Sequence, residues 1–193
     1  MHDVTAILLS GGMGSRMGGV DKGLLVLDGM TLAERAVKRI SPHVEELLIS
    51  ANRNIECYSR FGKVISDEGF GPLSGLREGM LHAGCDLVLS IPCDTPFFPE
   101  DLAEKLKKGL IESGVQIALA ESNGKTHQAF MLCRRNLAED LAGFLNSGGR
   151  KVLEWQNRHD CITVDFPDEA AFFNINTPED LKRAKAISSG GRP

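Results

Sequence analysis

The sequence predicts an α/β sandwich built on a largely parallel sheet. Three observations carry that expectation. Strand-like and helix-like segments alternate along nearly all of the 193 residues. The runs at 4–9 and 87–91 are almost wholly apolar, as strands covered on both faces are. Each is followed by a polar loop, at the strand end where open α/β sheets place their ligands.

The elements follow in order. The run 4–9 is a buried parallel strand, broken by a loop carrying Gly11, Gly12, Gly14, Gly18 and Gly19. Residues 24–27 form a short extended segment closed by an Asp28-Gly29 turn. Thr31 and Glu34 make a capping box for a helix reaching about Ile40. Residues 47–50 are the second main strand and 64–65 a shorter third. A helix spans 72–82 and a central strand 87–91. Pro99 opens a helix whose Leu102, Leu106 and Leu110 recur at helical spacing. Strands at 115–120 and 129–133 flank the Asn123-Gly124 turn. A helix over 136–144 ends at Ser147-Gly148-Gly149, and a late edge strand covers 161–166. Thr177 caps a last helix, with Pro178 at its first position and Asp180 in its first turn.

Length and composition bound the function. No repeat, linker or composition break divides the chain, so one domain is expected over 1–187, with a flexible tail over 188–193. Apolar residues make up 42% and charged residues 25% of the chain, the balance of an ordinary globule. A net charge of −4 argues against general affinity for nucleic acid or anionic membranes. The amino end carries Asp3 and no basic stretch, so no secretory signal is expected. No apolar run approaches the ~20 residues that span a bilayer. The five cysteines are odd in number and contain no C-x-x-C pair, which speaks against a disulfide framework or a zinc ribbon. Cys93 is read as a buried core residue, since no histidine lies near it in sequence.

The glycine loop carries the first chemistry. Glycines let backbone N–H groups approach a phosphate, and Arg16 and Lys22 supply neutralising charge. The loop is neither common phosphate cradle. Lys22 is followed by Gly23 where a Walker A loop has a hydroxyl residue. The dinucleotide fingerprint would need glycine at Met17. Asp94, after the central strand and between Pro92 and Pro96, could hold Mg²⁺ or simply make a turn. Asp67 follows the third strand and could contact a ribose or base, and the Gly-Pro-rich 71–75 segment starts the next helix. Ser50 to Asn54 could read a base edge or form a turn. Asn174 and Asn176 alternate and so share a face if extended. His127, Gln128, Arg150 and Lys151 are candidate second-substrate contacts. The other histidines show no metal-ligand spacing.

Taken in order, LSGGMGSRMGGVDKGLLVLDG, SANRN, SDEGFGPLSGL, IPCDTPFFP, HQAF, GGRKV and FNINTPEDL resemble the molybdenum cofactor guanylyltransferases over about residues 4 to 185. The resemblance implies a three-layer, Rossmann-like sandwich of the nucleotidyltransferase type. It implies a cytoplasmic, Mg²⁺-dependent enzyme that joins GMP from GTP to molybdopterin and releases pyrophosphate. Leu9, Ser10, Gly11 and Gly12 would contact the nucleotide, Lys22 its phosphates, and Asp67 the nucleotide again. Asp94 would bind the metal, and Arg16, Lys22 and Asp94 would act in catalysis. His127, Arg150, Asn174 and Asn176 would face the second substrate. Partners would be molybdoenzymes or their chaperones and a GTP-binding accessory protein, with no nucleic acid and no membrane. Two positions depart from some members. Ser50 stands where they have Asn, and Lys151 replaces an Arg, exchanging a planar fork for a point charge. The alternatives are CMP transfer to molybdopterin, another NTP:sugar-phosphate transfer, or a non-catalytic nucleotide-binding protein.

Overall fold

A computed structural model describes residues 3–10, 20–67, 69 and 71–188. In chain order the strands are β1 (Val4–Leu9), β2 (Val26–Leu27), β3 (Met30–Thr31), β4 (Glu46–Ser50), β5 (Lys63–Ile65), β6 (Leu87–Pro92), β7 (Ile117–Ser122), β8 (Lys125–Arg134) and β9 (Cys161–Asp165). The helices are α1 (Leu32–Ile40), α2 (Ile55–Tyr58), α3 (Pro72–His82), α4 (Leu102–Ser113), α5 (Ala138–Asn146), α6 (Val152–Gln156) and α7 (Pro178–Ser188).

Seven strands form one sheet in the order β5-β4-β1-β6-β8-β7-β9. Only β8 runs against the rest, antiparallel to both β6 and β7. Side chains alternate between two cores, as the strand period requires. Val4, Ala6 and Leu8 pack with Ala33, Ala36 and Ile40 of α1 and with Leu102, Leu106 and Leu110 of α4. Ile7, Val88 and Met131 pack on the other face with Leu73, Leu76 and Met80 of α3, Leu141 of α5 and Trp155 of α6. Helices therefore cover both faces and make a three-layer sandwich. A third, smaller cluster of Leu27, Leu32, Ile175 and Ala184 docks α7 on the β2–β3 hairpin.

Helix α3 lies unusually close to the sheet because it carries Gly79. A Cβ there would sit 2.0 Å from Cδ1 and 2.6 Å from Cγ1 of the fully buried Ile7. Gly79→Ala is therefore expected to destabilise the protein by about 1–3 kcal/mol through overpacking. The check is the urea midpoint, and an unchanged midpoint would contradict this packing.

Several boundaries differ from expectation. Pro99 does not open α4. Its carbonyl accepts from the Leu102 N–H at 3.2 Å in a preceding turn, and the helix begins three residues later. Residues 24–27 are not one extended piece. A 3₁₀ turn (Lys22–Leu24) precedes the two-residue strand β2, which pairs with β3 across the Asp28-Gly29 turn. Strand β8 begins at Lys125, because the left-handed Asn123 and Gly124 (φ 53° and 75°) close a tight hairpin with β7. Helix α5 starts at Ala138 after a 3₁₀ turn over Arg135–Leu137. The short helices α2 and α6 have no counterpart in the sequence reading. Expectation and structure agree on the edge position of β9 and on the Thr31 cap, whose hydroxyl accepts from Glu34 N at 3.1 Å. They agree too on Thr177, which caps α7 by accepting from the Asp180 N–H at 3.1 Å. Residues 189–193 of the expected tail lie outside the described residues. Among the described residues, no helix is long and apolar enough to cross a membrane.

Candidate active site

The registers Leu9↔Ser50, Leu9↔Pro92 and Ser50↔Ile65 bring four parallel strands to one carboxyl edge. The pairing runs on past the strands. Ser10 N–H donates to Ser50 O at 2.9 Å, Cys93 N–H to Leu9 O at 3.2 Å, and Ala51 N–H to Ile65 O at 3.0 Å. Ser10, the 51–54 loop, Asp67 and Asp94 therefore emerge side by side. The antiparallel β8 delivers its beginning to the same edge. There the register with β7 jumps between Leu119↔Met131 and Ala120↔His127, so Gln128, Ala129 and Phe130 bulge out of the ladder. Bulges of this kind re-aim side chains beside functional sites.

Lys22 stands at the middle of the edge. Its Nζ donates to Asp94 Oδ2 at 3.2 Å and to Asn176 Oδ1. Both members of the ion pair are partly covered, with side chains 21% and 18% exposed. The Asp94 loop is tied to the 173–176 segment twice more. Ile175 N–H donates to Asp94 O at 2.8 Å, and the buried Thr95 hydroxyl donates to Asn174 Oδ1. Asn174 thus meets the Asp94 loop through Thr95, and Asn176 meets Lys22.

Asp67 sits in a laced loop. Its N–H donates to Asn52 Oδ1 at 2.9 Å, and its Oδ1 accepts from Gly69 N–H at 3.0 Å. Ser50 is buried, and α3 passes so near it that a Cβ on Gly75 would meet its Oγ at 2.3 Å. Ser10 is also buried, 5% exposed. Leu9 lines a small apolar cleft with Pro72, Leu73, Ala129 and Val152.

Among the described residues, the remaining candidates have other partners than the Lys22–Asp94 pair. His127 is half-buried, bonded through Nε2 to Ser122 Oγ at 2.6 Å and stacked on Phe172 with centroids 4.1 Å apart. Burial and then Lys125 hold its pKa below the usual histidine value, so the ring is neutral at pH 7. Arg150 donates to Leu145 O at 2.7 Å and Gly149 O at 2.6 Å, where it closes the carboxyl end of α5. Lys151 pairs with Glu154 at 2.7 Å. Gly11, Gly12 and Arg16 lie outside the described residues. Cys93 is a core residue. Burial first, then the charge of Asp94, push its thiol up to about 12, which leaves it protonated and non-nucleophilic at pH 7. All five cysteines are free.

Sequence reasoning passed over Asp21 and Tyr58 and read Asn54 as part of a base-reading or turn segment; the three gather under Lys22. Asp21 accepts from the Tyr58 hydroxyl at 2.5 Å, from Asn54 Nδ2 at 2.9 Å and from Gly23 N–H at 3.2 Å. The available signal was that Tyr58 is the single tyrosine of the chain and follows closely on the SANRN loop.

Comparison with known proteins narrows the chemistry. The family model for a MobA-like NTP transferase domain matches residues 6–161. The molybdenum cofactor guanylyltransferase of Ralstonia nicotianae is 43% identical, over 94% of this chain and 95% of its own. That of Shewanella piezotolerans is 40% identical, over 96% and 94%. Among solved structures, the molybdopterin-guanine dinucleotide biosynthesis protein A of Archaeoglobus fulgidus superposes with a TM-score of 0.80 at 27% identity, covering 97% of this chain and 99% of its own. A CMP:2-keto-3-deoxy-manno-octonic acid synthetase complexed with CTP shares the fold alone, with a TM-score of 0.74 at 14% identity and 98% coverage of each chain. Near-complete coverage at this identity leaves one assignment: the chain belongs to the molybdenum cofactor guanylyltransferase family of nucleotidyltransferases.

Proposed function

We propose that this protein transfers GMP from GTP to molybdopterin and releases pyrophosphate. What carries the reading is Lys22, held between Asp94 and Asn176 at the edge where the parallel strands end. A fixed ammonium there meets the charge that builds on a departing pyrophosphate.

The donor set fits Mg²⁺ arriving with its nucleotide. Among the described residues no cluster of three or more His, Cys, Asp or Glu could cage a metal. Mg²⁺ needs no such cage, because it keeps waters and takes one or two carboxylates with substrate phosphates. Asp94 would hold it. When bound, it would supply neutralising charge for the triphosphate.

In the proposed reaction a terminal phosphate oxygen of molybdopterin attacks the α-phosphorus of GTP in line. The α-phosphorus bond to the bridging oxygen breaks, and pyrophosphate carries the electron pair away. The attacking phosphate is already ionised, so no general base is needed. The backbone of Leu9, Ser10 and Gly11, together with Gly12 and Asp67, binds the nucleotide. Lys22 and Arg16 bind its phosphates and stabilise the transition state. His127, Arg150, Asn174 and Asn176 face the second substrate. We further propose that residues 1–187 act as one catalytic unit in the cytoplasm, without nucleic acid or membrane. The product passes to molybdoenzymes or their chaperones, with a GTP-binding accessory protein as a further partner.

Base choice is the first test. Equilibrium binding of GTP, CTP, UTP and ATP with Mg²⁺ is expected to favour GTP. A preference for CTP would move the reaction to cytidylyl transfer, and absence of nucleotide binding would overturn the reading.

A further inference from the structure

The Asp21 network has no role in the reaction just described, yet it holds the part that matters most. Lys22 opens a three-residue 3₁₀ turn closed by Leu24 N–H to Asp21 O and Leu25 N–H to Lys22 O, both 3.1 Å. Such turns are weak by themselves and take their rigidity from outside. Here the outside support is the Asp21 carboxylate, 8% exposed, whose oxygens receive three donors. One donor is the hydroxyl of the fully buried Tyr58, which burial and Asp21 keep protonated. Another is Asn54, held in a left-handed conformation (φ 51°) that asparagine tolerates better than most residues. Packing adds to the hold, since a Cβ on Gly23 would lie 2.3 Å from the Tyr58 oxygen.

Asn54 and Tyr58 belong to the segment after β4, and Asn52 in the same segment ties down Asp67. The network therefore joins the loop proposed to face the nucleoside to the turn proposed to meet the phosphates. We infer that Asp21 is a positioning residue that, with Tyr58 and Asn54, fixes the Lys22 ammonium in register with Asp94 across the bound triphosphate. This inference rests on the guanylyl-transfer reading.

Two mild variants test it. Tyr58→Phe removes one oxygen from a buried ring. Asn54→Gly removes an exposed amide while keeping a residue suited to positive φ. Each is expected to lower kcat for GMP transfer ~10-fold per folded molecule, the scale of a lost hydrogen bond to a charged group, with KM for molybdopterin unchanged within about twofold. A staple that only stabilised the fold would move the melting temperature and leave kcat per folded molecule alone. The sharper readout repeats both variants in a Lys22→Met background. If the network acts through Lys22, neither should lower kcat further there. Full kcat in both single variants, or effects that add fully to Lys22→Met, would overturn the inference while wild-type transfer stands. A wild type without GMP transfer would overturn the guanylyl reading and this inference with it.

Discussion

Asp94→Ala is expected to lower kcat by about 10³-fold while the protein stays folded. The size follows from its proposed duty, because removing charge stabilisation at a developing phosphate charge costs several kcal/mol, with each ~1.4 kcal/mol worth tenfold. Survival of the fold follows from its surroundings. The side chain is partly exposed and lost in trade for a partly screened ion pair, which contributes ~0–1 kcal/mol. Its backbone carbonyl keeps the 2.8 Å bond from Ile175 N–H, and Lys22 keeps Asn176. The thermal midpoint should therefore move little. Residual turnover should need more Mg²⁺ than wild type, because the proposed metal ligand is gone. Wild-type kcat in this variant would remove Asp94 from the mechanism.

Lys22→Met should cost ~10²–10³-fold in kcat/KM, the range seen when one preorganised donor to a transition-state charge is deleted. Methionine keeps the apolar stem and removes the ammonium. The loss should divide differently from that of Asp94→Ala. Lys22 contacts phosphates in the ground state as well as the transition state, so KM for GTP should rise as kcat falls. Arginine should rescue poorly, since a planar fork cannot meet Asp94 and Asn176 as a compact ammonium does. Steady-state kinetics of the wild type, Asp94→Ala, Lys22→Met and Lys22→Arg give the answer. An unchanged KM and kcat in Lys22→Met would show that the lysine only braces the apo edge.

The parts of this site that are legible in sequence are those set by local pattern. Residues 4–9 read as a buried strand because a strand covered on both faces is almost wholly apolar, as this run is but for Thr5. Asn174 and Asn176 read as sharing one face because alternation is the strand period; Asn174 accepts from Thr95 and Asn176 from Lys22. The Asp21 network was not legible for the opposite reason. Asp21 meets Asn54 and Tyr58 across 33 and 37 residues, and no periodicity links them. The start of β8 was hidden by polar residues. Lys125, Thr126 and His127 look like loop until the Asn123-Gly124 turn folds them onto β7. Pro99 misled because proline suits a helix start, and here it serves the turn before one. Arg150 was legible as a cation near a flexible turn, but its bond to Leu145 O at the carboxyl end of α5, a common employment for a cation there, was not.

The most direct measurement supplies purified protein with GTP labelled at the α-phosphate, molybdopterin and Mg²⁺, and follows label and pyrophosphate together. The account predicts that label joins molybdopterin with one pyrophosphate released per GMP transferred, and that GTP outcompetes CTP. No molybdopterin-dependent pyrophosphate release, or transfer of CMP in place of GMP, would contradict it.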